Sequence, residues 1–147
     1  MTQPENGILL LASERASAKV RVLVVGSPAL GRVLKHLFAE RRDFEVVGSL
    51  RGLKSLERQA DRLLPKLIVA EVKAVSTGVG ATARTIKRRS PLSKLILLCS
   101  VPEFVSSARR FGADACLDPE ELIAQLLPTA AALSAGSNRC ISRNNPL

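Results

Sequence analysis

Apolar and polar positions along this chain switch period in a regular order. Val20-Arg21-Val22-Leu23-Val24-Val25 is a β-branched run that stops at Gly26, which predicts a buried strand. Leu30, Val33, Leu34, Leu37 and Phe38 then recur at helical spacing and predict an amphipathic helix. Phe44-Glu45-Val46-Val47-Gly48 predicts a second strand, and Leu53, Leu56, Ala60, Leu63 and Leu64 a second helix closed by Pro65. Leu67 to Val72 is the third strand, followed by a loop loosened by Gly78 and Gly80 and a helix from Ala81 to Arg89. Lys94 to Cys99 is a fourth strand, Pro102 to Phe111 a helix stopped by Gly112, and Ala115-Cys116-Leu117 a short fifth strand. Asp118-Pro119-Glu120-Glu121 starts the last helix, with an N-cap carboxylate, Pro at the first position and two acids that suit the helix dipole. Leu122, Leu126, Ala130 and Leu133 continue it, and Pro128 is expected to kink or shorten it.

Five successive strand–helix units with nearly continuous apolar strands specify a parallel sheet covered on both faces. The expected fold class is α/β, with helices layered on both faces of the sheet. Residues 1–18 read as a loose leader whose Ile8-Leu9-Leu10-Leu11 patch can dock on the domain or on a partner. Residues 134–147, with Gly, Ser, Asn and Pro and no period, read as a disordered tail.

Composition narrows the function classes. The chain of 147 residues is 46% apolar, enough for one domain with a real core. No apolar run approaches the roughly 18 residues that span a bilayer, so no membrane partner is expected. No basic flank precedes Ile8, which argues against a secretory signal and for a cytoplasmic location. Cys99, Cys116 and Cys140 have no metal-ligand spacing, and His36, the only histidine, has no partner for a metal, so no metal site is expected. Twenty-two Lys and Arg against thirteen Asp and Glu give a net charge of +9. That invites a nucleic-acid reading, but the basic residues are dispersed and there is no Trp or Tyr to stack on bases. Weak, non-specific polyanion binding is the expectation.

At the carboxyl end of the third strand stands Glu71, at the crevice where open α/β sheets bind ligands. The order of these elements resembles the receiver domains of bacterial two-component response regulators, the CheY-like superfamily, and most of all those of LuxR/NarL-type regulators. The resemblance rests on Arg21-Val22-Leu23-Val24-Val25, Phe44-Glu45-Val46-Val47-Gly48-Ser49, Pro65-Lys66-Leu67-Ile68-Val69-Ala70-Glu71 and Phe111-Gly112-Ala113-Asp114-Ala115. It covers residues 19–133 and implies a flavodoxin-like three-layer α/β/α sandwich around a five-stranded parallel sheet of order 2-1-3-4-5. It also implies phosphoryl transfer to an aspartate at the third strand's end, with two acids after the first strand holding Mg²⁺. A Ser or Thr ending the fourth strand and a Lys near the end of the fifth contact the phosphoryl group, and an aromatic residue in the fifth strand reports the switch.

This chain departs from that pattern at every position. The acidic pair falls at Gly26 and Ser27, the acceptor at Glu71, the hydroxyl at Cys99 (with Ser100 after it) and the aromatic at Cys116. No lysine follows Lys94. One carboxylate makes a poor Mg²⁺ site, so no cofactor and no Mg²⁺ binding are expected. The pattern therefore reads as a degenerate pseudo-receiver, with Glu71 either fixing one conformation or simply solvated at the crevice mouth.

Other chemistry finds little support. Gly26-Ser27-Pro28-Ala29-Leu30-Gly31-Arg32-Val33 has phosphate-loop glycine spacing without its Lys and hydroxyl, and Pro28 removes an N–H donor. Cys99 and Cys116 on neighbouring strands read as small apolar fillers, with a redox pair as the alternative. No nucleophile–base pair can be assembled, and the protein is not expected to be an enzyme. The resulting expectation is a stand-alone interaction module of signal transduction or transcriptional regulation, whose partners are proteins such as a histidine kinase or another regulator. Arg109 and Arg110 opposite Glu120 and Glu121 form a self-complementary face that would suit a homodimer. The alternatives are a basic nucleic-acid-binding accessory and a true phosphoacceptor using Glu71.

Overall fold

A computed structural model describes residues 19–72, 79–99, 110, 112–135 and 141–142. In chain order these form β1 (Val20–Val25), α1 (Pro28–Ala39), β2 (Phe44–Leu50), α2 (Leu56–Leu63), β3 (Leu67–Glu71), α3 (Val79–Arg89), β4 (Lys94–Leu98), β5 (Ala115–Leu117), a 3₁₀ turn (Pro119–Glu121), α4 (Leu122–Ser134) and β6 (Ile141–Ser142). The sheet order is β2-β1-β3-β4-β5-β6, every pairing parallel. Its first five strands stand in the expected 2-1-3-4-5 order, and the fold is the flavodoxin-like α/β/α sandwich.

Strand alternation divides the core in two, because successive side chains point to opposite faces. Val22, Val24, Leu67, Val69, Ile96, Leu98, Ala115 and Leu117 pack with Leu34 and Phe38 of α1 and Leu126, Ala130 and Leu133 of α4. Leu23, Val25, Ile68, Ala70, Leu95, Leu97 and Cys116 pack with Leu56 of α2 and Ala83 and Ile86 of α3. Strands buried on both sides explain why their sequences are continuous apolar runs. The one register shift, between Val22 and Leu23 on β1, lets the longer β2 run on to Leu50, whose carbonyl accepts the Gly26 N–H at 2.7 Å.

Several expectations are corrected. Gly80 lies inside α3, buried, rather than in a loop, while Gly78 lies outside the described residues. Val33 turns to solvent, 44% exposed, off the stripe of Leu34 and Phe38. Leu64 is not a core residue of α2 but its C-cap, in the left-handed conformation (φ 49°, ψ 57°) and exposed. Pro128 neither ends nor shortens α4, which runs six residues beyond it to Ser134. The ring faces solvent, where water can take the carbonyl it orphans. Leu126 and Leu133 are buried on either side, and about 1.5–3 kcal/mol per buried leucine offsets the ~3 kcal/mol cost of an interior proline. The tail reading fails at Ile141–Ser142, which adds a short parallel strand beside Ala115 and Cys116. The leader and the helix expected over 102–111, apart from Arg110, lie outside the described residues.

Candidate functional site

Three parallel strands deliver the crevice. The carboxyl ends of β1 and β3 lie side by side, with Val25 in register with Ala70, and the chain leaves β1 through Gly26 and Ser27 into α1. Ser27 is the N-cap of α1: its Oγ accepts the Leu30 N–H at 3.2 Å, and Pro28 occupies the first turn, where a missing N–H costs nothing. The hydroxyl at the position of the second expected acid is therefore engaged in holding the helix. The backbone N–H of Ser27 points the other way and donates to Oε1 of Glu71 at 3.2 Å. A half-buried carboxylate thus closes onto the positive end of α1, a favourable place for negative charge.

Gly26 is what admits that carboxylate. A Cβ placed on Gly26 would stand 2.9 Å from Oε1 of Glu71, 3.0 Å from its Cβ and 2.8 Å from Cδ2 of Leu30. The space that a side chain at position 26 would need is filled by the long side chain at 71. Absence of an acid at Gly26 and the extra methylene at Glu71 are two halves of one packing solution.

The surrounding crevice, of roughly 410 Å³, is lined by Gly26, Ser27, Glu71 and Thr82 together with Arg51 and Gly52 from the turn after β2. Arg51 supplies a cation, and Thr82 of α3 a hydroxyl. Both escaped the sequence reading, which sought a cation after the fifth strand. The available signal was position alone: Arg51 directly follows the carboxyl end of a strand adjacent to β1. As a Mg²⁺ site the crevice falls short. Among the described residues it offers one carboxylate, already accepting an N–H, the capping hydroxyl of Ser27 and the hydroxyl of Thr82, whereas Mg²⁺ takes octahedral oxygen ligands, usually with more than one carboxylate among them. No group of three or more His, Cys, Asp or Glu side chains suited to a metal occurs among the described residues.

The remaining predicted positions separate from this crevice. Cys99 and Cys116 are buried under the α2–α3 layer and do not line it. Arg110 and Glu120 are exposed and Glu121 is half-buried beside the start of α4, while Arg109 lies outside the described residues. His36 is exposed on α1. The Gly112-Ala113-Asp114 element has a structural role. Gly112 takes a φ of +116°, and Asp114 Oδ2 accepts the Leu95 N–H at 2.8 Å and pairs with Lys87 Nζ at 3.2 Å. No helix among the described residues is long and apolar enough to cross a membrane.

No protein-family model matches the sequence, and no curated protein matches it. Solved structures do. The isolated receiver domain of RcsB from Salmonella enterica serovar Typhimurium, determined with the phosphomimetic BeF₃⁻, is 16% identical with a TM-score of 0.73, covering 86% of this chain and 94% of that one. A LuxR-family two-component response regulator from Aurantimonas sp. is 18% identical with a TM-score of 0.73, covering 87% and 91%. The RcsB response regulator of Salmonella typhimurium, in a structure concerned with DNA interaction, matches at 16% identity and a TM-score of 0.72 over 84% of this chain. This chain spans 62% of that protein's length. At these identities the likeness establishes the architecture, and the chain has the receiver fold of response regulators.

Proposed function

We propose that this protein is a pseudo-receiver: a signalling module that acts by binding other proteins in the cytoplasm, without phosphoryl transfer and without enzymatic activity of its own. The observation that carries this reading is the Glu71 carboxylate folded onto Gly26 and Ser27, in the space where a metal-binding side chain would have to stand. A phosphoryl group beside a carboxylate needs cations to offset the repulsion. Arg51 is one cation in the crevice, and among the described residues no second carboxylate lines it to recruit Mg²⁺. The capped helix start and the engaged Glu71 favour a single conformation over a switch between two.

The partners fitting this reading are a histidine kinase, another regulator or a second copy of the chain. Arg110 and Glu120 remain exposed as the charged part of a self-complementary face, and RcsB is described as forming dimers on DNA. Intact-mass measurement after incubation with acetyl phosphate and Mg²⁺ tests the proposal. An unchanged mass is expected; gain of one phosphoryl group, mapped to Glu71, overturns it and makes the protein a true phosphoacceptor. The net charge of +9 favours one second reading, a nucleic-acid accessory. Gel retardation separates the two, since sequence-selective binding that survives physiological salt would support the accessory role.

A further inference from the structure

The opposite end of the sheet carries a second concavity. It lies between the end of α2, the turn into β3 and the turn from α3 into β4, and encloses roughly 620 Å³. The whole length of β3, about 15 Å at ~3.3 Å per residue, separates it from Glu71. Its apolar part is formed by Ala60, Pro65 and Pro91 between Leu64 and Leu92. Those two leucines are 72% and 93% exposed, and they are two of the four large hydrophobic side chains exposed among the described residues. Singly exposed leucines need no explanation, but two on the lining of one groove mark a candidate contact surface.

Charge says what kind of contact. Lys19, Arg21, Lys66 and Arg89 line the groove against one carboxylate, Asp61. None of the four cations makes an ion pair among the described residues. Arg21 donates through Nε to the Leu63 carbonyl at 2.6 Å, and Arg89 through Nη1 to the Leu53 carbonyl at 2.8 Å. Each guanidinium is tethered by one backbone hydrogen bond, Arg21 beside the groove and Arg89 toward the Leu53 carbonyl, which lines the Glu71 crevice. The polar groups beneath are satisfied: Ser90 and Ser93 share a hydrogen bond at 2.7 Å, and Ser93 Oγ donates to the Pro65 carbonyl at 2.6 Å. The groove is thus an apolar concavity rimmed by basic side chains.

We propose that this groove docks an acidic protein segment carrying a leucine-sized side chain, which would contact Leu64 and Leu92 while its carboxylates meet Lys19, Arg21 and Lys66. A polyanion without apolar side chains would satisfy the cations and leave the leucine pair uncovered, which is why the charge complement points to a protein. The proposal is independent of the state of Glu71, so its test and the phosphoryl test fail separately.

The test is fluorescence anisotropy of the full-length chain with a labelled synthetic peptide alternating leucine and glutamate. Saturable binding is expected, weakened about tenfold by Leu92→Ser and similarly by Lys66→Glu, and unaffected by Ile123→Ser, which removes a 75% exposed side chain on α4. Leu92 is so exposed that its replacement leaves the fold intact. Equal affinity for a serine–glutamate peptide, for oligothymidylate or for anionic lipid vesicles overturns the proposal by reducing the groove to a polyanion site. So does an equal loss in Ile123→Ser, or no saturable binding. Concentration-dependent self-association abolished by Leu92→Ser would assign the groove to a second copy instead, and would also overturn it.

Discussion

Gly26→Ala isolates the packing solution at the candidate site. The substitution adds one methyl group whose carbon would lie 2.8 Å from Leu30 Cδ2, 2.9 Å from Glu71 Oε1 and 3.0 Å from Glu71 Cβ. Two of these are closer than real Cβ contacts and the third is tight, so the ends of the Leu30 and Glu71 side chains must move. Overpacking of this kind costs about 1–3 kcal/mol. Gly26 does not use the left-handed backbone, so alanine also restricts the unfolded chain and returns about 0.4–1 kcal/mol. The expected net loss is about 0–2.6 kcal/mol, centred near ~1.3 kcal/mol, or roughly 0.7 M in the urea midpoint at about 2 kcal/mol per M. Circular dichroism is the suitable assay, since the chain lacks Trp and Tyr. The mechanism is tested by repeating the substitution in Glu71→Ala, where the Oε1 contact is gone. There Gly26→Ala should cost about 0.5–1 kcal/mol less, a coupling that a double-mutant cycle resolves. Costs additive within about 0.3 kcal/mol would refute the claim that Glu71 occupies the space above Gly26.

Three further substitutions test the surrounding geometry by the same urea denaturation. Ser27→Ala removes the cap of α1 and should cost about 0.5–2 kcal/mol, whereas Ser27→Asp should hold near wild type. Gly112→Ala forces a side chain onto a φ of +116° and against Lys87 Cγ at 2.9 Å, so a loss of about 1–3 kcal/mol is expected; a neutral result would discredit that turn. Leu64→Gly should stabilise by about 0.5–1 kcal/mol, because leucine there bears a left-handed cost of about 1–2 kcal/mol that glycine escapes.

How much of this was readable from residues alone follows from what each feature depends on. The strands were legible because Val22 to Val25, Leu67 to Ala70 and Leu95 to Leu98 are buried on both faces, and double burial writes itself as an unbroken apolar run. Leu122, Leu126, Ala130 and Leu133 were legible as one helix face for the same reason. Leu64 was not, since it keeps helical spacing from Ala60 while the backbone turns left-handed before Pro65. Pro128 misled because its cost depends on which way the ring faces. At the site, the identities of Gly26, Ser27 and Glu71 were visible, but the contact between them was not, because it is a distance across forty-four residues of chain. Arg51 and the Leu64–Leu92 groove depend on turns from separate units meeting in space, which no local period records.

That contact changes what it would take to rebuild a metal site. Read position by position, Gly26→Asp should supply a missing carboxylate. In the structure, its Cβ would stand 2.9 Å from Glu71 Oε1, so Gly26→Asp alone displaces the Glu71 carboxylate and sets a second one beside it. Like charges held that close disfavour joint ionisation. Shortening Glu71 to Asp withdraws the carboxylate by one methylene, and Ser27→Asp keeps an N-cap while adding an acid. The triple variant Gly26→Asp, Ser27→Asp, Glu71→Asp should therefore bind Mg²⁺ by calorimetry, whereas Gly26→Asp alone should be destabilised and bind none. If the single variant bound Mg²⁺ as tightly as the triple, the three positions would be independent. The loss of acids after β1 could then be treated separately from the glutamate at the end of β3. If only the triple binds, the glycine and the glutamate form one unit, and neither can change toward a metal-binding residue without the other.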